Sequence, residues 1–262
     1  MGYTYGNCYN ITGSPVCGDN VTDMSCAYFF CFRLTGSPVC GGNVVDMSFA
    51  YNGCNNITGS PVCGDNVKYF NSTYGYCSNL TGSPVCGANV TSMASTYANC
   101  TNLTGFPVCG DNVTNMYRTY WNCSNLTGSP VCSNKITSMM DTYYGCSNLT
   151  GPAICGASVT TMTNTYRNCT NLSGNAYFYS NIITNVRNCF TGCNTANTLN
   201  IYAPANSTSM TTLLYNNTSS LVGSNIAWTD DMAANGCYYN TAFNIYIYPV
   251  ENVVAARTAN GD

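Results

Sequence analysis

The sequence predicts an α/β solenoid in which tandem repeats of 23 residues stack on one another as coils. The first observation is a series of cysteines at a constant step of 23: Cys8, Cys31, Cys54, Cys77, Cys100, Cys123, Cys146 and Cys169. The second is another series at the same step: Cys17, Cys40, Cys63, Cys86, Cys109, Cys132 and Cys155. The third is that columns of Leu, Val, Met and Tyr share this period. One such unit cannot bury its own apolar face, so neighbouring units must stack.

Each unit is expected to contribute one short parallel strand and one short helical segment. Residues 100–122 form the clearest copy, in which the Pro-Val-Cys segment has glycine nearby on both sides and is the strand candidate. Copies of this strand would pair in parallel at a spacing of ~4.8 Å. Met116, Tyr120 and Cys123 then follow at i, i+4 and i+7. That spacing predicts one face of a short helix or 3₁₀ turn.

The period predicts two regions. Residues 1–192 would form the solenoid, with about eight repeats that start mid-repeat, because Met1 precedes Cys8 by the same seven residues that separate Met24 from Cys31. A solenoid end normally carries a polar cap. We therefore expect either a fragment of a longer array or an uncapped first coil that supports end-to-end or homo-oligomeric assembly. Residues 193–262 lack the period and are expected to form a strand-rich C-terminal capping region with one helix.

Composition excludes several classes of function. Lys and Arg number 7, Asp and Glu number 10, and His is absent, so the formal net charge is −3. Too few cations are present for a phosphate-binding surface, which argues against a nucleic-acid partner. Without His there is no His-based catalysis or His metal site. No apolar run of about 18 residues occurs, so membrane insertion is not expected.

The cysteine series allows three interpretations. Disulfides within a coil are typical of extracellular proteins. However, Cys169 persists where Phe178 replaces its partner in the second series, which favours buried thiols that act as small apolar side chains. Metal thiolates are disfavoured because the spacing lacks Cys-x-x-Cys pairs. Local bridges between Cys189 and Cys193, or between Cys26 and Cys31, stay open. We expect no metal and no cofactor.

The repeat resembles the BspA-like bacterial leucine-rich repeats. The matching segments are Cys100-Thr-Asn-Leu-Thr104, Asn112-Val-Thr-Asn-Met116 and Tyr120-Trp-Asn-Cys123. The resemblance implies a right-handed, leucine-rich-repeat-like coil and a role in surface attachment, as in bacterial surface adhesins and phage tail-fibre-type repeat arrays. The Gly-Ser-Pro-Val-Cys-Gly segment departs from the aliphatic alternation of that family.

Variable aromatic residues between the Met and Cys columns are expected to be exposed and are the candidate binding residues: Phe29, Phe30, Tyr76, Tyr117, Trp121 and Tyr144. Aromatic rings on a rigid scaffold supply contact area at low entropic cost. The alternative is that these rings only fill space between coils.

The sequence therefore favours an extracellular attachment module, on a cell or virion surface, that recognises a host or cell-surface glycan or protein. The first alternative is a structural spacer or fibre-forming segment. The second is an enzyme, which would need converging acids such as Asp230 and Asp231 in the C-terminal region. We expect no enzymatic activity.

Overall fold

The computed structural model describes residues 2–172, 174–193, 198–205, 207–215, 229–240 and 245–261. Within residues 2–193, which we call the coil stack, segments one period apart lie side by side. Parallel bridges join Asp23 to Asp46 and Asp46 to Tyr69, and further bridges continue at the same step to Thr161. Rings of the Tyr column also stack, with centroids of successive rings 5.4–5.7 Å apart from Tyr28 to Tyr166. The right-handed, leucine-rich-repeat-like form of this stack stays a prediction.

The Met-to-Cys segment of each coil forms turns and not a regular helix, where a short helix or 3₁₀ turn was expected. In the coil of Met116, Arg118 and Asn122 have φ values of 53° and 58°. Left-handed residues at these two positions end any right-handed helix within a turn. The N–H of Thr119 donates to Met116 within the coil at 3.1 Å, whereas the N–H of Tyr120 donates to Thr142 of the next coil at 2.9 Å. Amides that would have closed a helix thus join neighbouring coils instead.

The expected strand at Pro-Val-Cys is wrong for the first six coils of the described residues and right for the later ones. Strand β1 (Ala153–Cys155) pairs in parallel with β2 (Gly174–Phe178), and Ala153 lies opposite Ala176. The earlier coils carry proline in this column: Pro15, Pro38, Pro61, Pro84, Pro107 and Pro130. Proline has no N–H to donate to a ladder. Alanine at this column restores the donor, so a regular strand begins only there.

Strands β1 and β2 belong to an open sheet of six strands, in the order β1-β2-β3-β6-β5-β4. The remaining strands are β3 (Leu199–Pro204), β4 (Thr229–Asp231), β5 (Cys237–Asn240) and β6 (Ile245–Val250). Pairing is parallel from β1 through β3 to β6 and antiparallel from β6 through β5 to β4.

Three helices are described in the C-terminal region, where the sequence predicted one. They are α1 (Thr208–Tyr215), α2 (Met232–Asn235) and α3 (Val253–Ala259). The side chain of Asn252 caps α3 by accepting from the N–H of Ala255 at 3.1 Å. Helix α1 packs on the end of the coil stack, where the hydroxyl of Ser209 accepts from the N–H of Ile183 at 2.9 Å.

The last coil contains one additional residue. Val159 is followed at the same place in the stack by the buried Ile183, while Ile182, which the constant period assigned to this column, is 46% exposed. Phe190 consequently stacks on Tyr166 at 5.5 Å. Cys193, which the period left outside both series, takes the place of the next first-series cysteine.

The interior of the coil stack consists of fully buried Met, Tyr, Cys, Leu and Val columns. From Tyr28 to Tyr166, the hydroxyl of each tyrosine in this column makes two hydrogen bonds. Tyr120 Oη donates to the carbonyl of Val108 at 2.7 Å and accepts from the N–H of Val108 at 3.0 Å. A side chain thereby satisfies both backbone groups of a residue that has no strand partner.

Candidate functional site

The two cysteine series occupy different environments. All 19 cysteines are free thiols in the structure. The first series is buried from Cys31 onward, and its thiols donate to carbonyls of the preceding coil, as Cys123 does to Tyr97 at 2.9 Å. Cys8 is exposed, and the second series is half-buried except for the buried Cys155. The described part of the chain contains no group of three His, Cys, Asp or Glu side chains close enough together to hold a metal ion.

We expect Cys8 to react with a thiol reagent long before the buried first-series members do. Burial raises the pKa of Cys54 and of Cys100 to about 12, from 9.0 in water. Only the thiolate is nucleophilic, so this shift alone lowers their reactivity at pH 8 about a thousandfold. Mass spectrometry after timed alkylation would show the order. Rapid modification of Cys100 in the native protein would contradict it.

The matching measurement is alkylation of the denatured protein without reductant. All 19 cysteines should then be modified if they are thiols, as in the structure. If two cysteines in each coil stay unmodified, the result would instead support disulfides within coils.

The six candidate aromatic residues lie between one and six positions after the Met column. Tyr76 is 53% exposed, whereas the other five are half-buried. Phe30 and Tyr76 occupy the second left-handed position of the turn, with φ values of 55° and 64°. The expectation that all six are exposed is therefore wrong for five of them, because neighbouring coils cover part of each ring.

Phe29 and Phe30 belong to an aromatic cluster in the first coils. Their ring centroids lie 4.2 Å apart, Phe49 lies 6.1 Å from Phe29, and Phe32 lies 5.7 Å from Phe30. A Cβ on Gly53 would clash with the ring of Phe30, so this ring lies directly over the glycine. Mutual packing accounts for Phe29 and Phe30, as the space-filling alternative proposes.

Tyr117, Trp121 and Tyr144 come together with two arginines that sequence reasoning missed. The guanidinium of Arg118 lies 5.0 Å from the Tyr117 ring centroid and 5.7 Å from that of Trp121. Trp121 and Tyr144 are 6.0 Å apart, and the guanidinium of Arg167 lies 5.6 Å from Tyr144. We call these five residues the arginine–aromatic cluster. The sequence offered one signal for these two residues: they are arginines in variable columns of a chain in which only 6% of the residues are charged.

Trp121 also ends a surface groove of about 470 Å³ that runs across successive coils. Its lining residues are Asn55, Tyr76, Ser78, Asn99, Thr101 and Trp121. The groove thus carries an aromatic ring at two places, with amides and hydroxyls between them. We call it the Tyr76–Trp121 groove. It joins the arginine–aromatic cluster through Trp121.

Two other grooves lie elsewhere on the surface. One of about 490 Å³ contains both lysines of the chain, Lys68 and Lys135, together with Asn and Thr side chains of the repeat. The other, of about 400 Å³, lies in the C-terminal region between Asp231, Asn235 and three tyrosines. Asp231 is the one carboxylate among its described lining residues and accepts from the Asn235 amide. The paired acids required by the enzyme alternative are not brought together there.

No protein-family model matches the chain, and neither curated proteins nor solved structures give a match. Among the described helices, none has the length and apolar composition needed to cross a membrane.

Proposed function

We propose that the protein is a solenoid attachment scaffold that binds a cell-surface glycan in the Tyr76–Trp121 groove. The observation that carries the proposal is the lining of this groove. Exposed aromatic rings stack on the apolar faces of sugar rings, and amides and hydroxyls bond sugar hydroxyls. Asn99 and Thr101 line the same groove and supply these groups. Placement at an extracellular, cell or virion surface belongs to the same proposal.

The backbone at Tyr76 supports a binding role. Other coils carry Asn99, Asn122 or Gly145 at this left-handed position, and these residue types adopt positive φ most readily. An aromatic residue at φ 64° has an added backbone cost of about 1 kcal/mol, and its exposed ring gains little from packing. A strained and exposed ring is typical of a ligand-contact position.

The low surface charge also supports the proposal. With 6% charged residues, the surface consists largely of amides, hydroxyls and tyrosine rings. Such a surface resembles paratopes, which combine Tyr with Ser and Asn for adaptable contact. The resemblance to BspA-like repeats points in the same direction.

The test is a glycan array followed by affinity measurement with Trp121→Ala and Tyr76→Asn. Each variant should bind the best glycan about tenfold or more weakly, because one ring contact contributes about 1.4 kcal/mol. Tyr76→Asn reproduces the residue of other coils, so its thermal stability should be equal to wild type or higher.

Phe106→Ser is the matched control. Phe106 is 67% exposed and replaces a serine of other coils, and it lies outside the groove. Its affinity should stay unchanged. An array without binding at high protein concentration would overturn the proposal, and so would groove variants that bind like wild type. End-to-end assembly in electron micrographs would then favour the spacer alternative.

A further inference from the structure

We infer that the glycan is acidic and that Arg118 and Arg167 bind its carboxylate or sulfate group beside Trp121. The inference rests on the proposed function, because it names the class of ligand that the same surface recognises. It is carried by the position, the partners and the stacking of these two arginines.

The charge around the arginine–aromatic cluster differs from that of the whole chain. The chain has a net charge of −3, yet the Met-to-Cys segments of the four coils between residues 116 and 193 carry Arg118, Arg167 and Arg187 and one carboxylate, Asp141. Arg187 is exposed, and its carbonyl accepts from the N–H of Asn164 at 2.8 Å, which places it in the coil after that of Arg167. A local excess of cations in an acidic protein attracts anionic ligands.

Asp141 orients the Arg118 side chain but occupies only one of its N–H donors. The carboxylate is buried and accepts from Arg118 Nε at 3.1 Å and from Asn164 Nδ2 at 2.9 Å. A guanidinium has five N–H donors, and among the described residues Arg118 makes no further hydrogen bond. Its side chain is 45% exposed, so the terminal amino groups face solvent in a fixed orientation.

Arg167 lacks even this partner. Its Nε is buried and has no hydrogen-bond acceptor in the described residues, and the guanidinium lies over the Tyr144 ring. Stacking holds the side chain in place, but no acid among the described residues neutralises its charge. An unpaired, partly buried guanidinium gains from an anion more than an exposed lysine does, because less water competes for it.

The arrangement therefore matches a sugar ring that carries an acid group. Trp121 lines the groove, and its ring centroid lies 5.7 Å from the Arg118 guanidinium, so a sugar ring stacked on Trp121 would place its substituents near Arg118. The planar guanidinium pairs with the two oxygens of a carboxylate or sulfate. Both groups share this chemistry, and the experiment separates them.

The test measures binding of the full chain to immobilised polygalacturonate, heparin and dextran, which carry carboxylates, mainly sulfates and no charge. Wild type should bind one of the two acidic polymers at least tenfold more tightly than dextran. Arg118→Gln and Arg167→Gln should each weaken that binding about tenfold and reduce its salt dependence, while binding to dextran stays unchanged. Arg118→Lys should retain the salt dependence but lose most of the affinity gain, because lysine cannot pair in bidentate geometry.

Lys135→Gln is the control, since it removes one positive charge from a different groove. Equal weakening by Lys135→Gln would show unspecific attraction and overturn the inference. Dextran binding as tight as that of the acidic polymers would also overturn it, but would leave the proposed function standing. Absence of binding to all three polymers, together with a blank array, would overturn both. Thermal unfolding of each variant checks that the fold is retained.

Discussion

Raising the pH from 8 to 10 is expected to unfold the coil stack in one cooperative transition. The cause is a group of fully buried first-series thiols whose pKa burial raises: Cys54, Cys77, Cys100, Cys123, Cys146 and Cys169. In the unfolded chain these thiols ionise near 9.0, while in the native protein they keep their protons. The unfolded state therefore binds fewer protons above pH 9, and stability falls as the pH rises.

The magnitude is large because the contribution repeats in each coil. One such thiol contributes about 1.4 kcal/mol of destabilisation per pH unit above its unfolded pKa. For six thiols the loss at pH 10 is about 8 kcal/mol, which is comparable to the whole stability of a typical domain. Burial also raises the pKa of Tyr97 and Tyr120 well above 10.0, so the buried tyrosines act in the same direction.

Urea unfolding under reducing conditions at a series of pH values measures this effect. The midpoint should stay nearly constant between about pH 5 and 8, because the chain has no His to titrate there, and should fall steeply above pH 9. Tyrosinate absorbance should appear together with the loss of circular dichroism. Equal midpoints at pH 7 and 10 would refute the expectation.

Replacing Tyr120 by Phe is expected to lower the free energy of unfolding by about 2–4 kcal/mol. The substitution removes the hydroxyl that bonds both the N–H and the carbonyl of Val108. Each group then loses its partner at a site with no strand neighbour, and an unsatisfied buried group costs about 1–3 kcal/mol. Tyr120→Ala adds a cavity that costs about 3–5 kcal/mol and is expected to prevent folding.

Tyr76→Phe is the matched control, because Tyr76 is exposed and has no corresponding hydroxyl pair. Its unfolding midpoint should equal that of wild type. The same measurement on Tyr97→Phe should repeat the loss, since Tyr97 bonds Val85 at 2.7 Å and 3.0 Å in the same manner. A Tyr120→Phe variant as stable as wild type would show that water replaces the hydroxyl.

The period in the sequence predicted the buried columns well, and local backbone conformation was harder to predict. Met116, Tyr120 and Cys123 are all buried, as their spacing indicated, but on turns and not on a helix. Helical spacing identifies a shared face, and turns with left-handed residues present the same face. The missing strands follow from proline, whose consequence in a parallel ladder was visible in the sequence.

The candidate site was predicted in part. Trp121 and Tyr76 do line one groove, whereas Phe29 and Phe30 pack on their neighbours. Arg118 and Arg167 were missed, and each makes one contact with a residue of another coil, Arg118 with Asp141 and Arg167 with Tyr144. Both pairs are 23 residues apart, so the period places them side by side in neighbouring coils, but the sequence alone does not show the direction in which a variable side chain points.

The sequence by itself determined the step of 23 residues and the identity of each buried column, because stacked coils place the same side chain in the same environment at every step. Only the tertiary structure decided where the step changes to admit Cys193 to the first series, and which aromatic rings face solvent. The physical reason is that a single inserted residue is accommodated by the packing of the whole coil. The exposure of a ring likewise depends on the side chain above it. The change of step and the exposure of a ring are therefore not encoded within one repeat.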